Sequence, residues 1–290
     1  MAESRPMAKA LFYHIGIPRS GTTLIQRVLG RDERVALFPR NWFNTDRYYD
    51  SPAPVPAGPF EGRVGVLSDE TLVRQNYCKF STTMERIARA VPEAHIIITL
   101  REQRDWLFSA CGQAARAGNG ADSPEQWLRT PNGLDLLSIA GYATIYRVLK
   151  LFFRTERIHL LFFEDLRRDH ERFFDDFYRI LGLTFEDRDF VRANAGLAEE
   201  AVGVRGVINR LRGLARGGRT WGRGREETIR RAGVRAAPGL RAALRRGAPA
   251  NEGLWERTSF FRALEEEFRW TNRELRSLTG ADLARRGYLI

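Results

Sequence analysis

The sequence predicts an α/β protein in three layers: a mostly parallel sheet with helices on both faces, built around a P-loop-like phosphate-binding turn. Three observations carry this expectation. Ala10–Ile17 (ALFYHIGI) is an apolar run of strand length that ends in a turn and hands over to Thr22–Leu29, whose apolar residues recur at helical spacing. His95–Leu100 (HIIITL) is a β-branched run of the kind that a parallel sheet buries on both faces. Strand-like and helix-like segments then alternate along the chain, which is the pattern of βαβ units.

The remaining elements follow in order. Arg34–Phe38 and Val64–Leu67 read as short strands, separated by a Pro-rich stretch, Ser51–Pro59, that suits only a surface loop. Met84–Ala90 is helical in pattern and leads through Pro92 into the His95 strand. A helix is expected from Asp105 to Ala117, another from Tyr142 to Phe153, a strand from Ile158 to Phe163, and a helix from Asp169 to Leu181 that stops at Gly182. Arg205–Arg246 changes character, with 13 arginines against Glu226 and Glu227, before Phe260–Leu278 recovers helical periodicity. The expected organisation is one domain over 8–290: an α/β core at 8–200, an Arg/Gly-rich flap at 201–250 and a helical closure at 251–290.

Composition bounds the function classes. With 290 residues, 43% hydrophobic and 29% charged, the chain is globular, and disordered, collagenous and disulfide-scaffold classes drop out. The net charge is +11, and only Lys9, Lys79 and Lys150 are lysines among 47 basic residues, so the cationic surface is nearly all guanidinium. Guanidinium favours bidentate contact with phosphate, sulfate or carboxylate, although a coding bias toward arginine explains the surface residues as a group equally well. Cys78 and Cys111 lack metal-ligand spacing, so no metal is expected and a reduced compartment fits. Met1–Lys9 lacks a signal-peptide core and no apolar run reaches about 20 residues, so the expected location is cytoplasmic, with peripheral contact at the inner membrane face left open.

The chemistry concentrates in Gly16-Ile17-Pro18-Arg19-Ser20-Gly21-Thr22-Thr23, at the handover from strand to helix. Free backbone N–H groups and a helix N-terminus gather there around an anion, Gly21 permits close approach, and Thr22 and Thr23 offer hydroxyls. A Walker A loop shares the frame but requires Lys where Thr22 stands, so a nucleotide kinase fits poorly. A bare structural turn is the plain alternative, and the density of anion donors weighs against it.

The run PRSGTT after the first strand resembles the 5′-phosphosulfate loop of sulfotransferases that use 3′-phosphoadenosine-5′-phosphosulfate (PAPS). That family carries a second signature, a strand ending in Arg with a Ser about eight residues on, and here Arg101 follows Leu100 and Ser109 lies on the next helix. An Arg at the carboxyl end of a parallel strand also points into the crevice where such folds bind ligands. Arg101-Glu102-Gln103 with Gln113, Arg116 and Gly118, the Phe163-Glu164-Asp165-Leu166 and Phe177–Leu183 stretches, and the closing Gly287-Tyr288 are similar to a bacterial branch. The resemblance covers about residues 10–200 well and the rest weakly.

What the resemblance implies is PAPS as co-substrate and PAP (3′-phosphoadenosine 5′-phosphate) as product, held by Pro18, Arg19, Ser20, Gly21, Thr22 and Thr23 around the 5′-phosphosulfate and by Arg101 and Ser109 around the 3′-phosphate. Arg19 stands where many relatives carry Lys; it keeps the electrostatic stabilisation of the leaving phosphate but cannot give up a proton. Glu70, in Gly65–Leu72, is the expected general base, with Asp69 in reserve and helix capping as the alternative role for both. His14, His95, His159 and His170 suit core or surface positions. The acceptor is a hydroxyl, with carbohydrate or glycolipid favoured. Arg205–Arg246 is read as a solvated face, an anionic-membrane contact or a grip on an anionic acceptor. A basic nucleic-acid binder is the competing class; it explains the charge but neither signature.

Overall fold

The computed structural model describes residues 11–39, 60, 62–74, 77–116, 124–190 and 258–290. Ser51–Pro59, Gly118 and Arg205–Arg246 lie outside them, with the roles expected of those segments.

Among the described residues five strands, β1 (Leu11–His14), β2 (Val35–Pro39), β3 (Val64–Ser68), β4 (His95–Leu100) and β5 (Ile158–Phe162), form one sheet in the order β2-β3-β1-β4-β5. All four pairings are parallel. Alternation along each strand divides its side chains between two cores. Leu11 and Tyr13 of β1, Leu67 of β3, and Ile96, Ile98 and Leu100 of β4 face one side. There they meet α2 (Tyr77–Ala90), α3 (Gln103–Arg116), α6 (Tyr142–Phe152) and α9 (Ser259–Thr279). Phe12, Val66 and Ile97 face the other, against α1 (Thr22–Leu29) and α8 (His170–Ile180). The three expected layers are present.

Local sequence accounts for the element ends. Asp169 accepts from Arg172 N at the start of α8, and Phe173, Phe174, Phe177 and Tyr178 pin that helix to the sheet, each contributing about 1.5–3 kcal/mol by burial. Gly182 follows with φ 71°, the left-handed stop its position implied. Thr258 caps α9 by accepting from Phe261 N.

Three differences from the sequence reading have identifiable causes. α2 begins at Tyr77, seven residues before the expected Met84, because Phe80, Met84 and Ile87 form one buried stripe at helical spacing. α4 (Pro124–Leu128) and α5 (Pro131–Ser138) fill the β4–β5 connection, and α5 starts on a Thr130 cap with Pro131 in its first turn. α7 (Phe163–Arg168) starts one residue past β5, so Phe163 is the first residue of a helix rather than the last of a strand. Among the described residues no helix is long and apolar enough to cross a membrane.

Candidate active site at the strand ends

The chain runs from β1 outward to β2, returns through β3, then crosses to β4 on β1's other side. The carboxyl end of β1 is therefore the switch point where parallel sheets of this kind open a crevice. Beyond His14 the backbone stays extended against β4, with Ile15 N donating to Ile97 O (2.9 Å) and Ile17 N to Thr99 O (3.1 Å). The loop then turns. The Trp106 indole donates to Pro18 O at 2.8 Å, fixing the first bend from α3. Arg19 has φ 71°, the only positive φ outside glycine among the described residues, and Gly21 follows at 89°. Left-handed backbone costs an L-residue about 1–2 kcal/mol, so the loop holds Arg19 against a local preference. α1 then starts on Gly21 with no side-chain cap and no acidic residue in its first turn, leaving its first N–H groups for an anion.

Arg101 and Ser109 come to the same place. Arg19 Nε donates to Ser109 Oγ at 3.0 Å, and Arg101 Nη1 donates to Arg19 O at 3.0 Å, so the two sequence signatures are directly bonded. Arg101 is braced from behind: its guanidinium lies 4.4 Å from the centroid of the Phe163 ring, and its carbonyl accepts from Tyr142 Oη at 2.6 Å. Burial lowers the pKa of Arg101, and the carboxylates of Asp105 and Glu164 oppose that shift.

Four buried polar atoms among the described residues have no partner within the protein. They are Thr22 Oγ1, Asp69 Oδ2, Arg101 Nε and Glu274 Oε2, and the first three sit at the ends of β1, β3 and β4 or on the helix that follows. An unmet buried group costs about 1–3 kcal/mol. A hydroxyl and a guanidinium N–H left open beside an uncapped helix start fit the oxygens of a phosphate or sulfate.

A buried polar layer lies beneath the loop. His14, fully buried, bonds Ser68 Oγ through Nδ1 (2.8 Å) and Thr99 Oγ1 through Nε2 (3.1 Å), while Gln26 Nε2 donates to Ser68 O (3.0 Å) and Ser68 Oγ (3.1 Å). Burial pushes the His14 pKa down to about 4, so the ring is neutral and ties the ends of β1, β3 and β4 together. His95 and His159 stack on one another at the opposite, amino-terminal end of the sheet, their Nδ1 and Nε2 2.9 Å apart. His170 is the first residue of α8.

The two candidate bases stand where β3 leaves the sheet beside β1, with Asp69 N donating to His14 O at 3.0 Å. Asp69 Oδ1 accepts from Thr71 N (2.8 Å) and Thr71 Oγ1 (2.6 Å), the capping arrangement, while its Oδ2 is buried with no partner. Glu70 is partly exposed at the next position. No group of three or more His, Cys, Asp or Glu among the described residues is placed to hold a metal.

No family model matches the sequence, and no curated protein matches it either. Solved structures do. A mouse sulfotransferase in complex with PAP aligns at TM-score 0.51 and 13% identity, over 96% of this chain and 86% of that one. The fold is that of the sulfotransferases. A sulfotransferase from Alicyclobacillus acidocaldarius aligns at TM-score 0.48 and 18% identity, over 69% of this chain and 94% of that one. The sulfotransferase domain from the curacin biosynthetic pathway aligns at 0.44 and 17%, over 63% and 77%.

On this fold Arg19, Arg101 and Ser109 are bonded together at the turn that runs from Pro18 to Thr23, and Asp69 and Glu70 follow the neighbouring strand β3. Trp106 and Tyr142 carry no site role in the sequence reading, and Phe163 enters the resemblance only within the Phe163–Leu166 stretch. The bonds from Trp106 to Pro18 and from Tyr142 to Arg101 span 88 and 41 residues, so no local pattern announces them. The one available signal was a Trp four residues after Glu102, on the face of α3 that packs beneath the loop.

Proposed function

We propose that this chain transfers a sulfuryl group from PAPS to an acceptor hydroxyl, with a saccharide or glycolipid hydroxyl as the expected acceptor. The observation that supports this most is the joining of two anion-binding elements through Arg19, whose side chain meets Ser109 and whose carbonyl meets Arg101. A single phosphate loop needs no second arginine at a neighbouring strand end; a nucleotide carrying phosphates at both its 5′ and 3′ positions does. The fold, shared with a sulfotransferase solved with PAP, points the same way.

PAPS supplies an activated sulfuryl group on a phosphate leaving group. In this reading Arg101 and Ser109 hold the 3′-phosphate, and the N–H group of Gly21 with the Thr22 and Thr23 hydroxyls holds the 5′-phosphosulfate, while Ser20 N, which donates to Ile17 O at 3.1 Å, shapes the turn. Arg19 neutralises charge on the leaving phosphate and, because guanidinium stays protonated, does so without transferring a proton. Glu70 takes the proton of the acceptor hydroxyl as that oxygen bonds sulfur and the sulfur–phosphate oxygen bond breaks. No metal enters this scheme. Asp69 is the second reading for the base, supported by its unpartnered buried Oδ2.

Thermal unfolding with PAP, ATP–Mg or AMP at equal concentration tests the nucleotide. A ligand at 100 times its Kd stabilises the folded state by about 2.7 kcal/mol. Stabilisation by PAP above the other two is expected; a shift with ATP–Mg alone, or with none, returns the chain to the kinase or nucleic-acid reading. With labelled PAPS and an active acceptor, Glu70→Gln is expected to abolish transfer and leave PAP binding intact, whereas an active Glu70→Gln beside an inactive, folded Asp69→Asn assigns the base to Asp69.

A further inference from the structure

The residues that follow α9 reach back to the turn that braces Arg101. Four consecutive residues there, Phe162 to Asp165, are each engaged. The Phe162 ring meets Tyr288 edge-on at 6.0 Å and the Arg286 guanidinium at 4.2 Å. Phe163 lies against the Arg101 guanidinium. Glu164 accepts on one oxygen from Tyr288 Oη (3.1 Å) and on the other from the backbone N–H of Glu102 (2.9 Å), the residue next to Arg101. Asp165 accepts from Arg286 Nε at 2.7 Å. A second route runs from Leu289 O through Asn272 Nδ2 (2.8 Å) to the side chain of Gln103, which bonds Asn272 in both directions.

Tyr288 is 4% exposed. Burial and the adjacent Glu164 carboxylate keep its hydroxyl protonated, so it is a permanent donor to that carboxylate. Gly287, at φ 83°, gives the chain the turn that brings the ring inward. Hydrogen bonds to charged acceptors are worth about twice those between neutral groups, so Tyr288 holds Glu164 firmly. Glu164 in turn fixes the peptide that carries Arg101.

We propose that Tyr288 is a positioning residue for the 3′-phosphate site: through Glu164 and the Glu102 peptide it sets where Arg101 points, and so sets how far the crevice prefers a nucleotide with a 3′-phosphate over one without. This rests on the reading of Arg101 and Ser109 as the 3′-phosphate site. Tyr288 is buried behind Glu164, so its effect falls on discrimination rather than on binding in general.

Isothermal titration of the full chain with PAP and with AMP, which lacks the 3′-phosphate, separates the possibilities. The parent protein is expected to bind PAP more tightly than AMP. Tyr288→Phe keeps the ring on Phe162 and removes only the hydroxyl; it is expected to narrow the PAP/AMP affinity ratio by about tenfold, equivalent to about 1.4 kcal/mol, with AMP affinity unchanged. Glu164→Gln, which retains one acceptor oxygen for two donors, narrows the ratio in the same direction and stands in if the first variant does not fold. An unchanged ratio in the folded variants, or equal loss of both ligands, overturns the inference while leaving the 3′-phosphate assignment in place. A parent protein that binds PAP and AMP equally overturns that assignment, and the inference with it.

Discussion

Replacing Gly21 by alanine adds one methyl group at the point where α1 begins, and the structure allows its cost to be divided. Gly21 has φ 89°, where an L-residue is strained by about 1–2 kcal/mol. The new Cβ would stand 2.5 Å from Leu166 Cδ2 and 3.4 Å from Phe163 Cδ2. Leu166 is 2% exposed and has little room to rotate, so overpacking adds about 1–3 kcal/mol. The total is about 2–5 kcal/mol. Gly182 and Gly280 supply controls, with φ 71° and 70° and nothing within 4 Å of an ideal Cβ. Alanine there carries strain alone. Urea unfolding of the three variants, compared at constant m, is expected to show Gly21→Ala less stable than either control by about 1–3 kcal/mol. Equal losses at all three positions would refute the packing argument, and with it the contact between α7 and the loop.

Three further perturbations bear on the same site. With a folded pKa of about 4 against 6.5 unfolded, His14 stays neutral while the unfolded chain takes up a proton, so its contribution is unaffected above about pH 6.5 and is lost as pH falls toward 4, by about 3 kcal/mol in all. Glu102 and Glu164, raised by burial, act in the opposite sense, so the slope is read as the difference between the parent and His14→Gln; identical pH profiles would count against a neutral His14. Arg19→Gly relieves left-handed strain but adds backbone freedom of about 0.5–1 kcal/mol, so denaturant stability is expected within about 1 kcal/mol of the parent while PAP affinity falls at least tenfold, and a large stability loss would contradict it. Trp106→Phe leaves Pro18 O without its donor and is expected to cost about 1–3 kcal/mol by urea unfolding, with a neutral result showing the indole bond to be dispensable.

The sheet was legible in the sequence because parallel strands buried on both faces leave continuous apolar runs, and β4 and β5 begin at the residues expected, His95 and Ile158. The loop was legible because a tight turn from a strand into an uncapped helix start constrains consecutive residues. α4 and α5 are five and eight residues long, too short for periodicity to register, and the Thr130-Pro131 cap was the overlooked sign of the second. The His14 layer was out of reach, since its partners Ser68 and Thr99 lie 54 and 85 residues away and nothing local distinguishes a histidine bonded on both ring nitrogens from one merely packed. The tie from Tyr288 to Glu164 spans 124 residues and was equally invisible.

The central place of β1 has a consequence for biosynthesis. Its residues are made before those of the other described strands but pair with Gly65–Ser68 and then with His95–Ile97, so Phe12 meets His95 across 83 residues of chain. At about 5–20 residues per second, synthesis of that interval takes roughly 4–17 s. During that time Leu11-Phe12-Tyr13, which the finished sheet buries almost completely, has only one of its two neighbours or neither. A strand held waiting in this way is transiently exposed apolar surface on the nascent chain, the kind of segment a chaperone covers.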